Sequence, residues 1–288
     1  MIKIVLAVMG VAALLAAAPA QASAQQASAP RAQAPQKHRP PKRHPDEHYR
    51  TLCHTAHARA SWVYASNGVA VHADSWLGDE LCIREAQHGP NLTVTRNFPA
   101  NRWDGVLAFP SILYGYSFGI GSKGSGLPAP LSMHPDPVVT LDTVGWTRGG
   151  WNKAIDVDFD RRPLKSGQNE YELMVWTAEH NDGDWAQFRT VRIDGAEWYF
   201  DAWVTPHSSI EAASMRAMTG MTSSGPLIIF DRVHPVRDAT VSLGPFIRYA
   251  QRIGWLPRSG LYLDEIDGGF EIRSTTPGLE VSGFRVRL

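Results

Sequence analysis

Short runs of alternating apolar and polar residues dominate the sequence and predict an all-β protein. The clearest run is residues 154–160, where Ile155, Val157 and Phe159 alternate with three aspartates. Successive side chains of a strand point to opposite faces, so the apolar residues mark a buried face and the aspartates mark the other. Turn signals separate the runs, with no alternation of strands and helices and no internal repeat. This pattern is typical of a β-sandwich.

The predicted strands cover residues 62–72, 81–84, 92–97, 154–160, 169–177, 191–193, 197–204, 227–230, 261–273 and 279–288, and the first contains an Asn67-Gly68 turn signal. Residues 244–256 are the exception, because their apolar residues follow the spacing of one helical face. These are Phe246, Ile247, Tyr249, Ala250 and Ile253. Pro245 suits a first helical turn, so we predict one helix that packs on the outside of a sheet.

A carboxylate interrupts the apolar strand predicted around residues 171–176. Alternation places Glu172 on one face together with Met174 and Trp176. A carboxylate beside such neighbours is costly to bury without a partner. An acidic residue on a solvated strand face is the ordinary alternative, and this stretch alone leaves both interpretations open.

A second carboxylate follows a glycine pair near the C-terminus. Phe270 and Ile272 face one way, whereas Glu271 faces the other way together with Gly269. Paired glycines keep bulk away from Glu271 and allow something to approach the backbone closely. A solvated glutamate beside a β-bulge is the alternative.

The aspartates at positions 156, 158 and 160 repel one another unless their face is wet or partnered. Asp-x-Asp-x-Asp also resembles a calcium-binding loop. However, Arg161 follows where such a loop has glycine, and the intervening residues favour a strand. We therefore expect no metal ion here.

The first 50 residues differ in character from the rest. Residues 1–24 combine Lys3, a short apolar run and small-x-small cleavage sites, which is typical of a secretory signal peptide. A membrane anchor is the alternative, but the run is shorter than the roughly 20 residues of a spanning helix. Residues 25–50, rich in Ala, Gln, Pro, His and basic residues, predict a disordered linker. We expect a secreted protein, extracellular or periplasmic, with a single domain at residues 51–288.

The linker histidines could bind a metal ion, but a solvated basic tail that contacts an acidic surface or wall polymer is the favoured interpretation. The 28 basic and 28 acidic residues balance, and the linker holds part of the positive charge. The remaining chain leans acidic, which argues against a nucleic-acid partner. After signal cleavage no stretch is apolar enough to span a membrane. Nothing indicates oligomerisation, and we expect a monomer.

Ten tryptophans suit either a protein that stacks on sugars or one with an aromatic core, and composition cannot separate the two. Cys53 and Cys82 predict a disulfide in an exported chain, joining the first strand of the domain to a later one. Closure of this loop would stabilise the fold by roughly 3 kcal/mol on the chain-entropy model.

Together these segments resemble glycoside hydrolase family 12, the secreted endo-β-1,4-glucanases and xyloglucanases. The resemblance covers most of residues 51–288 in order and rests on both glutamate motifs. The motifs are Cys53…Trp76…Cys82, Phe109-Pro110-Ser111-Ile112-Leu113-Tyr114-Gly115, Trp151-Asn152-Lys153-Ala154-Ile155-Asp156, Tyr171-Glu172-Leu173-Met174-Val175-Trp176, Leu261-Tyr262-Leu263 through Gly269-Phe270-Glu271, and Gly278-Leu279 with Ser282-Gly283-Phe284.

The resemblance implies a β-jelly roll of two curved antiparallel sheets with a cleft on the concave one. It also implies a retaining mechanism, in which two carboxyl groups lie about 5–5.5 Å apart. Glu172 would be the nucleophile, Glu271 the acid/base with a raised pKa, and Asp156 a neighbour that hydrogen-bonds the nucleophile. No metal or organic cofactor is implied. The sugar-contacting residues that we predict are Trp76, Met174, Tyr114, Trp151 and Trp198.

Several positions depart from the family pattern. Ile155 replaces a tyrosine, Asp158 takes an often aromatic position, and Arg273 follows Glu271 where an aromatic residue is usual. The loop at residues 182–185 lacks the family's Pro-x-Gly. The preferred glucan is therefore open, and xylanase-like specificity is one alternative. A non-catalytic glucan-binding sandwich is the alternative to an enzyme.

Overall fold

The computed structural model describes residues 49–55, 61–64, 68–75, 80–86, 89, 91–95, 106–145, 149–167, 169–180, 189–204, 225–274 and 277–288. The predicted signal peptide and nearly all of the predicted linker lie outside these ranges, as do Trp76 and the loop at residues 182–185. In the described part of the chain, no helix has the length and apolarity needed to cross a membrane.

The strands are numbered along the chain: β1 (Tyr49–His54), β2 (Ser61–Tyr64), β3 (Ala70–Ala73), β4 (Leu81–Ala86), β5 (Leu92–Val94), β6 (Ser111–Ser117), β7 (Ile120–Gly121), β8 (Ala129–Pro130), β9 (Val138–Val144), β10 (Trp151–Asp160), β11 (Tyr171–His180), β12 (Arg189–Ile193), β13 (Ala196–Val204), β14 (Pro226–Arg232), β15 (Ala239–Ser242), β16 (Tyr262–Ile272) and β17 (Glu280–Arg287). A 3-10 turn covers Leu131–Met133, and the helix α1 covers Gly244–Ile253.

The strands form two sheets. The smaller sheet has six strands in the order β1-β4-β5-β17-β9-β15. The larger has 11 strands; its main path is β12-β13-β14-β11-β10-β16-β6-β3-β2, with β7 on β6 and β8 on β16. β11 and β14 pair in parallel, so the expectation of entirely antiparallel sheets is wrong at that pair. The predicted all-β sandwich is confirmed.

The apolar faces of the two sheets share one core. Val157 and Leu173 of the large sheet belong to the same buried cluster as Leu141 and Phe284 of the small sheet. Val157, like its alternating neighbours Ile155 and Phe159, has no exposed surface. Burial of this apolar set is the main term that stabilises the sandwich, and the alternation seen in the sequence assigned β10 correctly.

Helix α1 packs on the apolar face of the large sheet. The Phe246 ring lies 4.8 Å from Trp198 and 5.1 Å from Phe230, both edge to face. The side chain of Asp136 accepts a hydrogen bond from the backbone N–H of Gly244 and so caps the helix. The predicted helix is confirmed, except that Ile253 is 36% exposed, because the helix ends there and turns that side chain outward.

A disulfide joins Cys53 to Cys82, as predicted. The two residues are directly opposite each other in the pairing of β1 with β4. β1 begins at Tyr49, two residues before the predicted start of the domain.

Lys153 is an unexpected part of the interior, because it lies on the core side of β10 and is only 1% exposed. Its ammonium donates to the backbone carbonyls of Val236 and Arg237. Burial lowers the pKa of Lys153 to about 7, against the opposing charges of Asp238 and Asp142.

Candidate active site

The face of the large sheet that turns away from the core carries a concentration of acidic side chains, and we call it the polar face. Three neighbouring strands supply them, since cross-strand partners lie on the same face of a sheet. The acidic residues are Asp156 and Asp158 of β10, Glu172 and Glu179 of β11, and Glu265, Asp267 and Glu271 of β16. The two glutamates singled out by sequence therefore share one surface.

Glu172 is half-buried near the start of β11. Its direct partners are Asp158 in β10 and Leu227 in β14. Burial and then the negative charge of Glu271 raise the pKa of Glu172 to about 7. The two carboxyl groups thus interact electrostatically, although 99 residues separate them in the sequence.

Glu271 lies near the end of β16 and is 4% exposed. Its direct partner in β10 is Asn152, whose Nδ2 donates a 2.7 Å hydrogen bond to Oε2 of Glu271. Oδ1 of the same amide accepts a 2.7 Å hydrogen bond from Nη1 of Arg273. Sequence reasoning missed Asn152, although it shares the alternation of Asp156 along β10.

Asp156 lies between the two glutamates but is not the direct partner of Glu172. It pairs with Met174 on one side and Asp267 on the other, so its relation to Glu172 is diagonal. Burial, then the charges of Glu172 and Glu271, raise the pKa of Asp156 well above its usual range. The expected electrostatic link between Asp156 and Glu172 is present, whereas the structure gives no hydrogen bond between the Asp156 and Glu172 side chains.

Further carboxyl groups extend along β16 toward β6. Asp158 hydrogen-bonds Glu265, which also bonds Ser117 and Asp267. Two carboxyl groups form such a bond only when one of them carries a proton. Burial accordingly raises the pKa of both Asp158 and Glu265 well above the usual range. Residues 154–160 form a continuous strand paired on both sides, so this aspartate run is not a calcium-binding loop.

A buried histidine ends this row of carboxyl groups. Ser111 Oγ lies 2.8 Å from Asp267 Oδ2 and 2.7 Å from His72 Nε2. Burial lowers the pKa of His72, but the hydrogen bond and charge of Asp267 outweigh that effect, so the net change is upward. The ring can therefore partly neutralise the acidic row. The sequence analysis assigned no role to His72, Ser111 or Asp267, although Ser111 lies within one of the motifs that carry the resemblance.

The glycine pair before Glu271 has a structural explanation. A Cβ on Gly268 would lie 2.6 Å from the ring of Phe284, and one on Gly269 would lie 2.3 Å from the carbonyl of Pro110. Neighbouring strands therefore approach this backbone closely, as predicted. The glycines let β6 and β17 pack against β16, which positions Glu271.

Apolar groups lie beside the carboxylates. Met174, Trp176 and Phe109 form a small buried cluster with Ala154 and Ile229, separate from the main core. Met174 is on the polar face, where it was predicted, and is 5% exposed.

Two of the predicted sugar-contacting residues lie in the core instead. Trp151 is 1% exposed and packs on Phe270; Trp198 is 3% exposed and donates from Nε1 to the carbonyl of Ile193. The predictions for Trp151 and Trp198 are wrong because both side chains are buried. Tyr114 is half-buried against the main core, and its hydroxyl donates to the carbonyl of Ser125. Trp76, the remaining aromatic prediction, falls outside the described residues.

The structure reveals an aromatic pair that the sequence did not. Trp62 of β2 is the direct partner of His72, so it lies on the polar face at the edge of the large sheet. Its ring is 5.0 Å from that of Tyr64 in a T-shaped contact, and it is 36% exposed. An exposed ring at the edge of the polar face is suited to stacking on a sugar.

The arrangement suits proton transfer and nucleophilic attack. Among the described residues, three metal-ligating atoms converge within 4.8 Å only at Cys53, Glu80 and Cys82, where the two sulfurs already form the disulfide. The polar face instead offers two electrostatically coupled carboxyl groups, which can divide the roles of acid and nucleophile.

Comparison with solved structures identifies the fold. A metagenome-derived glycoside hydrolase family 12 endoglucanase matches with a TM-score of 0.67 and 24% identity, over 84% of this chain and 99% of that one. Endoglucanase Cel12A from Rhodothermus marinus matches with a TM-score of 0.67 and 23% identity, over 82% and 97%. The native family 12 xyloglucanase from Bacillus licheniformis matches with a TM-score of 0.66 and 18% identity, over 83% and 99%.

The sequence itself matches no protein-family model and no curated protein. The similarity to solved structures therefore establishes the fold and nothing finer. The resemblance derived from sequence motifs is confirmed at that level, since the matched chains are family 12 glycoside hydrolases with the same jelly-roll fold.

Proposed function

We propose that this protein is a secreted retaining endo-β-1,4-glucanase, with Glu172 as nucleophile and Glu271 as acid/base. One observation carries the proposal: the charge of Glu271 acts on Glu172 across the polar face and helps raise its pKa to about 7. Two carboxyl groups coupled in this way titrate as a pair, so the raised pKa belongs to the pair and not to Glu172 alone. A pair with one proton is what glycoside cleavage requires.

In the first step, Glu172 attacks the anomeric carbon and the glycosidic bond breaks, while Glu271 gives its proton to the departing oxygen. The product is an ester between Glu172 and the sugar. In the second step, Glu271 removes a proton from water, whose oxygen attacks the anomeric carbon and releases Glu172. Two inversions at the same carbon retain its configuration.

The neighbouring side chains support these roles. The amide of Asn152 donates to Oε2 of Glu271 and so fixes the plane of that carboxyl group. Burial and the charges of both glutamates raise the pKa of Asp156, which favours its neutral form beside Glu172. A protonated Asp156 adds no charge beside the nucleophile.

The substrate class follows from the fold and the surface. The matched structures are described as endoglucanases and a xyloglucanase, and a polar face edged by Trp62 suits a neutral polysaccharide. We propose cellulose-type chains, mixed-linkage β-glucan or xyloglucan as substrates. Export is proposed from the signal-peptide pattern at residues 1–24, and the Cys53–Cys82 disulfide supports an oxidising compartment.

Reducing-sugar release from carboxymethylcellulose, mixed-linkage β-glucan and xyloglucan tests the proposal. Glu172→Gln and Glu271→Gln should each lose at least about a hundredfold in kcat. Glu170→Gln is the matched control, because Glu170 is 42% exposed in an ion pair with Arg161. Proton NMR of the first product should show the retained anomer.

Affinity gels that contain the same glucans measure binding without hydrolysis, and so test the alternative of a non-catalytic protein. If the wild-type protein binds a glucan but releases no sugar from any of them, the chain is a glucan-binding sandwich and the enzyme proposal fails.

A further inference from the structure

Arg273 occupies the polar face two residues after Glu271, where the sequence resemblance predicts an aromatic residue. Its backbone N–H donates to the carbonyl of Gly150 at 2.8 Å, which ties the end of β16 to the residue before β10. The side chain is therefore anchored beside the carboxyl pair.

The guanidinium group has three distinct neighbours. Nη1 donates to Oδ1 of Asn152 at 2.7 Å, and the guanidinium carbon lies 5.6 Å from the ring centroid of Trp176. Its positive charge also acts on Glu179. Burial raises the pKa of Glu179, and the charge of Arg273 reduces that increase without cancelling it. Glu179 is the direct partner of Asn152 in β11, so Arg273 spans the residue pair next to Glu271.

We propose that Arg273 is a positioning residue that sets the orientation of the Asn152 amide and, through it, the proton of Glu271. This inference rests on the proposed function, since it assigns Glu271 as the acid/base. It depends on which atoms of the Arg273 guanidinium, the Asn152 amide and the Glu271 carboxyl group donate hydrogen bonds and which accept them. A guanidinium group only donates hydrogen bonds, whereas an amide has one accepting end and one donating end.

Arg273 therefore requires the oxygen of Asn152 to face it, which turns the NH2 group toward Glu271. Asn152 has no exposed surface, so water does not compensate a reversed amide. With Nδ2 bonded to Oε2, the transferable proton of Glu271 is carried by the other carboxyl oxygen. Reversal of the amide would instead present a second acceptor to Glu271 and hold its proton back.

The charges around Glu271 give the expected direction of change. Asp156 of β10 and Glu172 and Glu179 of β11 bring carboxyl groups to the polar face, and Arg273, directly after the end of β16, brings a cation next to Asn152. Both the donated hydrogen bond and the positive charge favour ionised Glu271. Loss of Arg273 should therefore raise the pKa of Glu271.

The decisive measurement is the pKa of Glu271 by 13C NMR of labelled glutamate, in the full chain. We expect Arg273→Met to raise it by at least about 0.5 unit. We also expect the alkaline limb of kcat/KM to move up by a similar amount and kcat to fall by about tenfold to a hundredfold. Arg285→Met is the control, because Arg285 is 75% exposed and pairs with Asp142 in the small sheet.

A double-mutant cycle with Asn152→Ala distinguishes two cases. In the first, which we call the relay, Arg273 acts on Glu271 through the Asn152 amide; in the second, Arg273 and Asn152 affect Glu271 independently. If Arg273 acts through Asn152, the two pKa shifts are less than additive. Additive shifts, or an unchanged pKa of Glu271 in Arg273→Met, would overturn the proposal.

Two milder variants keep the test valid if Arg273→Met does not fold. Arg273→Lys retains a charged group that only donates, and should keep the wild-type pKa of Glu271. Arg273→Gln can donate or accept, so it no longer selects one orientation and should raise that pKa. Equal values in the two variants would contradict the relay. A wild-type protein that releases no sugar defeats the proposed function, whereas the NMR titration still tests the relay.

Discussion

Asp158 of β10 lies directly opposite Glu172 of β11 on the polar face. Burial and the charge of Glu172 raise the pKa of Asp158 well above its usual range, and Asp158 also hydrogen-bonds Glu265. Burial and the charge of Glu172 disfavour ionisation of Asp158, whereas the bond to Glu265 favours it, and the net change is upward. The raised pKa limits the negative charge beside Glu172 at a position that is often aromatic in the resembled family.

The first prediction concerns Asp158. Asp158→Asn replaces the carboxyl by a neutral amide of the same shape, which can still hydrogen-bond Glu265. We expect sugar release at pH 5 to be retained. Above pH 7, where the wild-type row must ionise, Tm should rise by at least about 2 °C. Differential scanning calorimetry at pH 5 and pH 8 checks this.

Asp158→Ala is the control for that substitution. It removes the hydrogen bond to Glu265 and leaves a buried carboxyl without that partner, which costs about 1–3 kcal/mol. If Asp158→Asn proves as unstable as Asp158→Ala, Asp158 acts as an ion in the wild-type protein.

The second prediction is that the protein loses stability as pH rises from about 4.5 through 7. Glu172, Asp156, Asp158 and Glu265 have raised pKa values in the folded state. Between the unfolded and folded pKa values only the folded state keeps the proton, so unfolding becomes easier with each unit of pH. His72 acts in the same direction, because its raised pKa stabilises the fold in acid and that stability is lost at higher pH.

We expect Tm to fall by at least about 5 °C between pH 4.5 and 8, since one pKa unit is about 1.4 kcal/mol and 1 kcal/mol moves Tm by about 2–4 °C. Lys153 has the opposite effect on stability, in a higher pH range. Its lowered pKa makes stability rise with pH above about 7. Circular dichroism melts at constant ionic strength provide the measurement, and a Tm that rises from pH 4.5 to 7 would contradict the protonated carboxyl row.

The third prediction concerns the exposed aromatic at the edge of the polar face. Trp62→Ala should weaken binding to β-glucan by about twofold to tenfold, because an aromatic contact is worth about 0.5–1.5 kcal/mol. Hydrolysis of short oligosaccharides that do not reach β2 should change less. Tyr49→Ala is the matched control, since Tyr49 is 37% exposed on β1 of the small sheet. Equal losses in both variants in affinity gels would argue against a specific role for Trp62.

The fourth prediction concerns Gly269, the neighbour of Glu271 on the polar face. A Cβ at this position would lie 2.3 Å from the carbonyl of Pro110 and 2.8 Å from Cα of Ser111. Because both are backbone atoms, β6 and β16 must separate. We expect Gly269→Ala to lower the free energy of unfolding by about 1–3 kcal/mol and to reduce kcat by misplacing Glu271.

Gly89→Ala is the control for Gly269→Ala, because, apart from its chain neighbours, no atom of the described residues lies within 4 Å of a Cβ built at Gly89. The test is to measure the free energy of unfolding in urea and kcat for both variants. Unchanged stability and rate in Gly269→Ala would show that the strands adapt without moving Glu271.

Alternation along single strands was enough to predict which face each acidic residue occupies. Asp156 and Glu172 alternate with the buried residues Val157 and Leu173, and the structure follows that parity. The same parity assigns Trp151, which shares a face with Ile155, to the core. The error at Trp151 came from giving weight to the residue type, since a tryptophan suits a sugar site and a core equally well.

Register between strands lies beyond such reasoning, because it depends on contacts between residues far apart in sequence. A register shift between Lys153 and Ala154 against β11 brings Glu179 to the polar face as the partner of Asn152, although Glu179 does not share the alternation of Glu172. The parallel pairing of β11 with β14 likewise has no local sequence signal.

By itself the sequence determined the all-β class, the disulfide, the helix and the faces of the two glutamate strands, because each depends on local periodicity or on a pair of cysteines. Only the tertiary structure decided that Asp158 faces Glu172 and that Asn152 connects Arg273 to Glu271. The physical reason is that hydrogen bonds and charge coupling act over a few ångströms. The Arg273–Asn152–Glu271 contacts join residues about 120 positions apart, which only the pairing of β10 with β16 brings together.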